Sequence, residues 1–326
     1  MKYSKRNILK HLLLAFALSS PLLGFTQSYP SKVIKFVVIQ GAGSVTDGGA
    51  RFFGDKIREQ TGQTVVVENR PGADGNLAAD MVARAAPDGY TVLISGNGTH
   101  AANVHLYKSL PFDPLKDFAP VTTFGRVPYI LIANPERVKA RNLKDFIAYA
   151  KANPGKLSYG SNAVAARVAV EQLKLLAGFE AVNIPYKTGS QAMTDLLGGQ
   201  FDFYVADAAT ALVQIHAGRV VPLAVTMNQR IPTAPNIPTI AESGFPDYDF
   251  YSWVAVWVTK GSPPEATTML SNLINKAMAS DDGRNFLEKR GLLPYPGSPQ
   301  MLDELQKRET ERWGKVIKSA GMGYEL

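Results

Sequence analysis

Short runs of β-branched and apolar residues alternate with amphipathic helical patterns along almost the whole chain, and this alternation decides the fold class. Val33-Ile-Lys-Phe-Val-Val-Ile39, Thr64-Val-Val-Val67 and Tyr90-Thr-Val-Leu-Ile94 read as buried strands. Helices are predicted between them over residues 46–60 and 74–86, the second stopped by Pro87-Asp-Gly89. A β-α-β-α-β order implies parallel strands, because each crossover helix must pack back onto the sheet with a right-handed sense. A second set follows Pro128, with strands predicted at 129–132, 157–159, 182–185, 201–205 and 221–225. Its helices fall at 142–152, 163–177, 191–197 and 208–217. A strand at 253–258 and helices at 264–279, 281–290 and 298–319 complete the pattern.

The second set interrupts the first. The expected fold class is therefore α/β with two lobes, crossed near 125–130 and 250–255, and a hinged cleft between them. The predicted division is 29–127 plus 254–326 for lobe 1 and 128–253 for lobe 2. A chain of 326 residues with 45% hydrophobic and 19% charged residues can bury two such cores, which excludes disorder as its main state.

Residues 1–28 read as a secretory signal that directs the chain to the periplasm. Lys2, Lys5, Arg6 and Lys10 form a basic start without acids, and Leu12-Leu-Leu-Ala-Phe-Ala-Leu18 is too short to span a bilayer. Thr26 and Ser28 suit the −3 and −1 positions of a cleavage site near Ser28. The segment also explains most of the basicity. The whole chain has 35 Lys and Arg against 28 Asp and Glu; without these four cations, 31 stand against 28, a net of +3. No Lys/Arg stripe is present, so no nucleic-acid partner is expected. A mildly positive cleft would still favour an anion.

Absent residue types exclude further chemistry. With no cysteine there is no disulfide, zinc–thiolate site, iron–sulfur cluster or Cys nucleophile. Beyond the signal, His100, His105 and His216 fit no metal-binding spacing, so neither a metal nor a cofactor is expected. Ser161 sits where a nucleophile-elbow serine would, but Tyr159-Gly-Ser-Asn-Ala163 lacks the second glycine, and a helix N-cap is the ordinary explanation. Gly41-Ala-Gly43-Ser-Val-Thr46-Asp47 lacks both the third glycine of a dinucleotide loop and the lysine of a phosphate loop.

What remains are four strand-to-helix turns rich in Gly, Ser, Thr and Asn, two per lobe: 41–47, 95–99, 161–162 and 187–190. Carboxyl ends of parallel strands are where such folds bind ligands. Backbone N–H groups at a helix start lack intrahelical partners and can hold a carboxylate. All four turns also suit ordinary helix caps.

At this point the chain closely resembles the Bug/TctC family of extracytoplasmic receptors for tripartite tricarboxylate transporters. The resemblance runs from Tyr29-Pro-Ser-Lys32 to Trp313-Gly-Lys-Val-Ile-Lys318. It is carried by Val65-Val-Val-Glu-Asn-Arg-Pro-Gly-Ala73 with Gly75-Asn76, Ala86-Pro-Asp-Gly-Tyr-Thr-Val-Leu93 and Leu115-Lys-Asp-Phe-Ala-Pro-Val121. Pro185-Tyr-Lys187, Ala192-Met-Thr-Asp-Leu-Leu-Gly-Gly-Gln200, Leu223-Ala-Val-Thr226 and Ile237-Pro-Thr-Ile-Ala-Glu-Ser-Gly244 add to it. The resemblance implies a type II periplasmic-binding-protein fold, no catalysis, a small carboxylate ligand held largely through backbone amides and water, and transporter membrane subunits as partners of a monomeric receptor. Gly43, Ser44, Val45 and Thr46 fall on the family's carboxylate loop, and Tyr186 matches its Tyr-Lys pair.

Three departures refine the expectation. Ser44 and Val45 stand where the family usually has more glycine. Ala206 replaces a frequent Asp that suits amino-bearing ligands, leaving Asp207 as a substitute or as the cap of helix 208–217. Arg167, in the second turn of an apolar helix, offers bidentate recognition of a second carboxylate, or else an exposed helix arginine or a lobe–lobe ion pair. The expected ligand-binding set is Gly43, Ser44, Val45, Thr46, Asn97, Thr99, Ser161, Asn162, Arg167, Tyr186, Thr188 and Asp207. Val45, Val164 and Ala206 favour an apolar pocket, hence an aromatic dicarboxylate such as terephthalate. Aliphatic di- or tricarboxylates are the alternative ligands, and a sensor for a membrane kinase the alternative role.

Overall fold

A computed structural model of the chain describes residues 29–323. The expected signal segment, 1–28, lies outside the described residues.

The first sheet has the order β11-β4-β10-β3-β1-β2. β1 (Ile34–Val38) pairs in parallel with β2 (Val65–Asn69) and β3 (Thr91–Gly96), as the β-α-β order requires. The connecting helix α1 (Val45–Thr61) is capped by Ser44, whose hydroxyl accepts the Asp47 N–H. It buries Ala50, Phe53, Gly54 and Ile57 at the spacing of one helical face, and it ends at Gly62 in the left-handed region, φ 76°. α2 (Asn76–Ala83) makes the second crossover. A π turn (Gly98–Ala102) and the short α3 (Asn103–Leu106) then follow β3.

The other half of this sheet is antiparallel. β10 (Ser252–Thr259) pairs with both β3 and β4 (Phe118–Val127), and β11 (Leu293–Pro294) closes the edge on β4. β4 was not expected from the sequence, and its irregularity explains why. Register shifts against β10 fall between Val254 and Ala255 and between Val256 and Trp257. These bulges leave Phe124 and Val121 without a partner opposite, and both bury in the same cluster with Phe53 and Ile57. Residues three apart thus share a face, so the period-two signal is absent.

The second sheet has the order β7-β6-β8-β5-β9. β6 (Ser158–Ser161) runs parallel to β7 (Val182–Pro185) and β8 (Phe203–Asp207). β5 (Tyr129–Ala133) lies antiparallel between β8 and β9 (Val221–Val225). Its helices are α4 (Leu143–Ala152), α5 (Val164–Ala177), α6 (Gly189–Leu197) and α7 (Ala208–His216).

The chain passes between sheets directly from β4 to β5 through Pro128, and returns through the segment ahead of Ser252. The two passages are tied together: the Phe250 N–H donates to the Thr226 carbonyl, 2.8 Å, and the Thr226 N–H donates to the Tyr129 carbonyl, 3.0 Å. After α8 (Pro264–Ala279) and α9 (Asp281–Lys289), α10 (Pro299–Ser319) spans both lobes. Its first half packs Leu302 and Leu305 near Trp257, and Gln306 accepts the Trp257 indole N–H at 3.1 Å. Its second half puts Trp313, Val316 and Ile317 with Phe250 and Leu173 in the core under the second sheet. The C-terminal helix therefore packs against core residues of both sheets.

Candidate functional site

Between the sheets lies an open cleft of about 860 Å³, bounded by the carboxyl ends of strands from both. Ser44, Val45 and Thr46 line it at the start of α1. The loop before them is braced from within. Asp47 is buried; its Oδ2 accepts the Gly43 N–H at 2.8 Å and the Arg51 Nε–H at 3.2 Å. Despite the burial, these contacts hold its carboxyl below the usual range. Gly43 adopts φ +83°, which a glycine supplies without strain. The Thr46 hydroxyl donates to the Gln40 side chain, and the Asn69 amide donates to the Gln40 carbonyl. Ser44 takes the Asp47 N–H, and the first helical bond starts at Gly48, so the Val45 and Thr46 N–H groups remain for a ligand.

The opposite wall mirrors this arrangement. α5 begins at Val164, and its N-cap, Ala163, makes no side-chain capping bond. The first intrahelical donor is the Arg167 N–H. The amides of Val164, Ala165 and Ala166 are therefore uncapped, and the first two belong to cleft-lining residues. Ser161 is not the cap that the sequence suggested: its hydroxyl donates to Asn183 Oδ1 at 2.7 Å. Asn162 lines the cleft with its Oδ1 held by the Tyr204 hydroxyl, which leaves the amide as a donor.

The floor comes from β3 and β10. Gly96 is required there, because a Cβ would lie 2.4 Å from the Trp253 carbonyl oxygen. The Asn97 amide donates to the Ser252 hydroxyl at 3.4 Å, and that hydroxyl also pairs with the Tyr129 phenol at 2.9 Å. Burial raises the Tyr129 phenol to about 12, so it stays protonated. Thr99 is fully buried and donates to the Asp74 carbonyl at 3.0 Å. Behind it, His100 stacks on Trp257 with ring centroids 3.7 Å apart, and burial pushes it down to about 3.

The charge on these walls is unexpected. Among the described residues that line the cleft, none is Lys, Arg or His; the two ionisable carboxylates are Asp74 and Asp207. Asp74 Oδ2 accepts the Tyr107 hydroxyl at 2.8 Å, and Tyr107, through burial first and this bond second, rises to about 12. Asp207 caps α7 by accepting the Thr210 N–H at 2.9 Å, as one of the two sequence expectations had it.

The structure thus brings together Ser44, Val45, Thr46, Asn97, Thr99, Asn162 and Asp207. It places the other five candidates outside the lining. Gly43 braces Asp47, and Ser161 binds Asn183. Thr188 caps α6 by accepting the Gln191 N–H, while Tyr186 donates to Asp195 Oδ2 at 2.9 Å beside a separate surface groove. Arg167 stands by Tyr159, whose phenol burial and Glu171 push up while the guanidinium pulls it down. Ala206 is core, so the apolar wall is made of Val45, Val127, Val164, Ala165 and Val254. Sequence reasoning missed the segment 71–75, although it lay in a block that carried the resemblance, and it missed Ser252–Val254 because a buried strand gives no sign of lining a cleft.

Comparison with known proteins places this geometry among receptors. Residues 50–322 match the tripartite tricarboxylate transporter family receptor profile, TctC. Protein BugT of Bordetella pertussis is 33% identical over 297 residues, covering 90% of this chain and 91% of its own. Two solved structures are similar. Rpa4515 of R. palustris with adipate has TM-score 0.79 and 34% identity over 91% of this chain and 100% of that one. MatC (Rpa3494) of Rhodopseudomonas palustris with bound malate has TM-score 0.74 and 28% identity over 89% and 100%.

Proposed function

The chain belongs to the tripartite tricarboxylate transporter receptor family, whose members are solute-binding receptors and not enzymes, and from that premise we propose that it captures a small dicarboxylate in the interlobe cleft. The observation that carries the proposal is the pairing of two helix starts across the cleft, α1 with free Val45 and Thr46 amides and α5 with no side-chain cap, on walls whose described lining residues include no cation. Such ends attract a carboxylate through aligned dipoles and unpaired N–H groups. Neutral donors from Asn97, Asn162 and Tyr129 complete the polar set.

The apolar wall supports a finer proposal, an aromatic dicarboxylate such as terephthalate; the solved relatives carry adipate and malate, which makes aliphatic diacids the comparison set. We further propose that the receptor acts as a monomer in the periplasm, after removal of 1–28, and hands its ligand to transporter membrane subunits. No helix among the described residues is long and apolar enough to cross a membrane. The lobes 29–127 plus 254–326 and 128–253 are the proposed moving bodies, hinged at Pro128 and ahead of Ser252, with α10 bridging them.

A thermal-shift panel of mono- and dicarboxylates, aliphatic and aromatic, tests the reading. A ligand that binds only the folded state raises the midpoint by mass action. A large shift with terephthalate supports the finer proposal, and shifts confined to adipate or malate reject it while keeping the receptor. No shift with any acid rejects carboxylate capture.

A further inference from the structure

The cleft has two carboxylates on its walls and no cationic side chain among its described lining residues. Asp74 is engaged by Tyr107, but Asp207 uses only Oδ1, on the Thr210 N–H. A second ligand carboxylate placed beside Asp207 therefore needs a cation from outside the open lining.

Arg290 stands where the lobes meet. It follows α9 in lobe 1, and its guanidinium lies against the first turn of α1. A Cβ on Gly48 would fall 2.5 Å from Nη1, 2.8 Å from Cζ and 3.0 Å from Nη2. Gly48 is three residues from the cleft-lining Val45, and residues so spaced share a helix face. The next residue, Gly291, touches lobe 2: a Cβ there would lie 2.7 Å from the Cβ of Ala209, two residues beyond Asp207. The guanidinium is exposed. It packs over the Phe286 ring at 5.4 Å and, among the described residues, makes no hydrogen bond or ion pair. The ring face and the bare Gly48 hold it, and its hydrogen-bond donors are unspent.

We propose that Arg290 is the specificity-determining cation of this receptor: as the lobes close, its guanidinium reads the second carboxylate of a dicarboxylic acid beside Asp207, while the starts of α1 and α5 hold the first. A planar fork of N–H donors matches a carboxylate in two places at once. Glycine at 48 belongs to the same device, since any side chain there pushes the guanidinium off the turn. The assignment rests on the carboxylate reading above.

The test uses acids that differ by one carboxylate, adipate against hexanoate and terephthalate against benzoate. Each is titrated calorimetrically into the wild-type protein, Arg290→Gln and Gly48→Ala. The expected wild-type result is a preference of about tenfold or more for the diacid of a pair, one ion-pair's worth of discrimination. Arg290→Gln removes most of that preference and leaves monoacid binding unchanged. Gly48→Ala, which keeps the arginine and improves helix propensity, lowers it in the same direction. Unchanged preference in both variants overturns the assignment and leaves the receptor reading standing. Equal losses for diacid and monoacid also overturn it, because Arg290 then only supports the α1 turn. Wild-type protein that binds no acid of either pair overturns carboxylate capture itself, and this assignment with it.

Discussion

Replacing Val164 by proline removes one backbone N–H from the cleft and leaves the helix that carries it in place. Val164 is the first residue of α5, and Ala163 before it already has φ −158° and ψ 159°, the extended region that a residue preceding proline prefers. Proline at this position has a suitable φ and gives up only an N–H that the helix does not use. The stability of the unliganded protein should therefore change by no more than about 1 kcal/mol. Binding should suffer far more. A hydrogen bond to a charged group contributes about 1.5–3 kcal/mol. At about 1.4 kcal/mol per decade, Kd should rise about 10- to 150-fold. Calorimetric titration with the tightest acid of the panel, beside a thermal melt of the unliganded variant, separates the two effects. A Tm drop of more than about 5 °C would mean that the helix used this amide after all. An unchanged Tm with an unchanged Kd would mean that no carboxylate sits on this turn.

Three further outcomes are expected. Gly96→Ala should cost about 1–3 kcal/mol in a denaturant titration, because its Cβ meets the Trp253 backbone oxygen at 2.4 Å and neither strand can yield; an unchanged midpoint contradicts the close approach. His100, neutral in both states above its unfolded value near 6.5, takes a proton below that pH only in the unfolded chain, until the folded value of about 3 is reached. Stability should therefore fall with pH across that window, by about 2 kcal/mol at pH 5 from this group, and His100→Phe should flatten the pH dependence of the urea midpoint. Asp207→Asn keeps a capping oxygen for Thr210 but removes a negative charge from the cleft, so carboxylate affinity should rise and the rise should shrink in high salt; a loss of affinity means that Asp207 binds the ligand itself.

Most of the fold was legible because the strands that build it are regular. β1, β2 and β3 carry β-branched runs with parallel register; the helix after β1 ends at Gly62, and the helix after β2 ends at Ala83, short of the predicted stop at Pro87-Asp-Gly89. β4 was not, because Pro120, Gly125 and two bulges replace alternation with the pair Val121 and Phe124. The π turn after β3 was also hidden; Ser95-Gly-Asn-Gly-Thr99 gives only a turn signal. In the candidate site, the turns at 44–46, 97–99 and 162 were readable as helix starts after strands. Which side chains face the cleft was not. Ser161 and Asn162 are neighbours, yet one turns to Asn183 and the other to the cleft. Arg167 was expected at the ligand from its place in an apolar helix, but only folding shows that Tyr159 stands beside it. Arg290 gave no signal at all, because its position depends on a missing side chain at Gly48, more than two hundred residues earlier.

The central claim is that backbone amides at two helix starts hold the ligand. A crystal structure of the protein with the tightest acid of the panel tests it most directly. The expected complex has carboxylate oxygens at about 2.7–3.1 Å from the Val45 or Thr46 amide on one lobe and from the Val164 or Ala165 amide on the other, with the lobes closed around the acid. An acid seated in this cleft but held through side chains alone, or seated elsewhere on the protein, would contradict it.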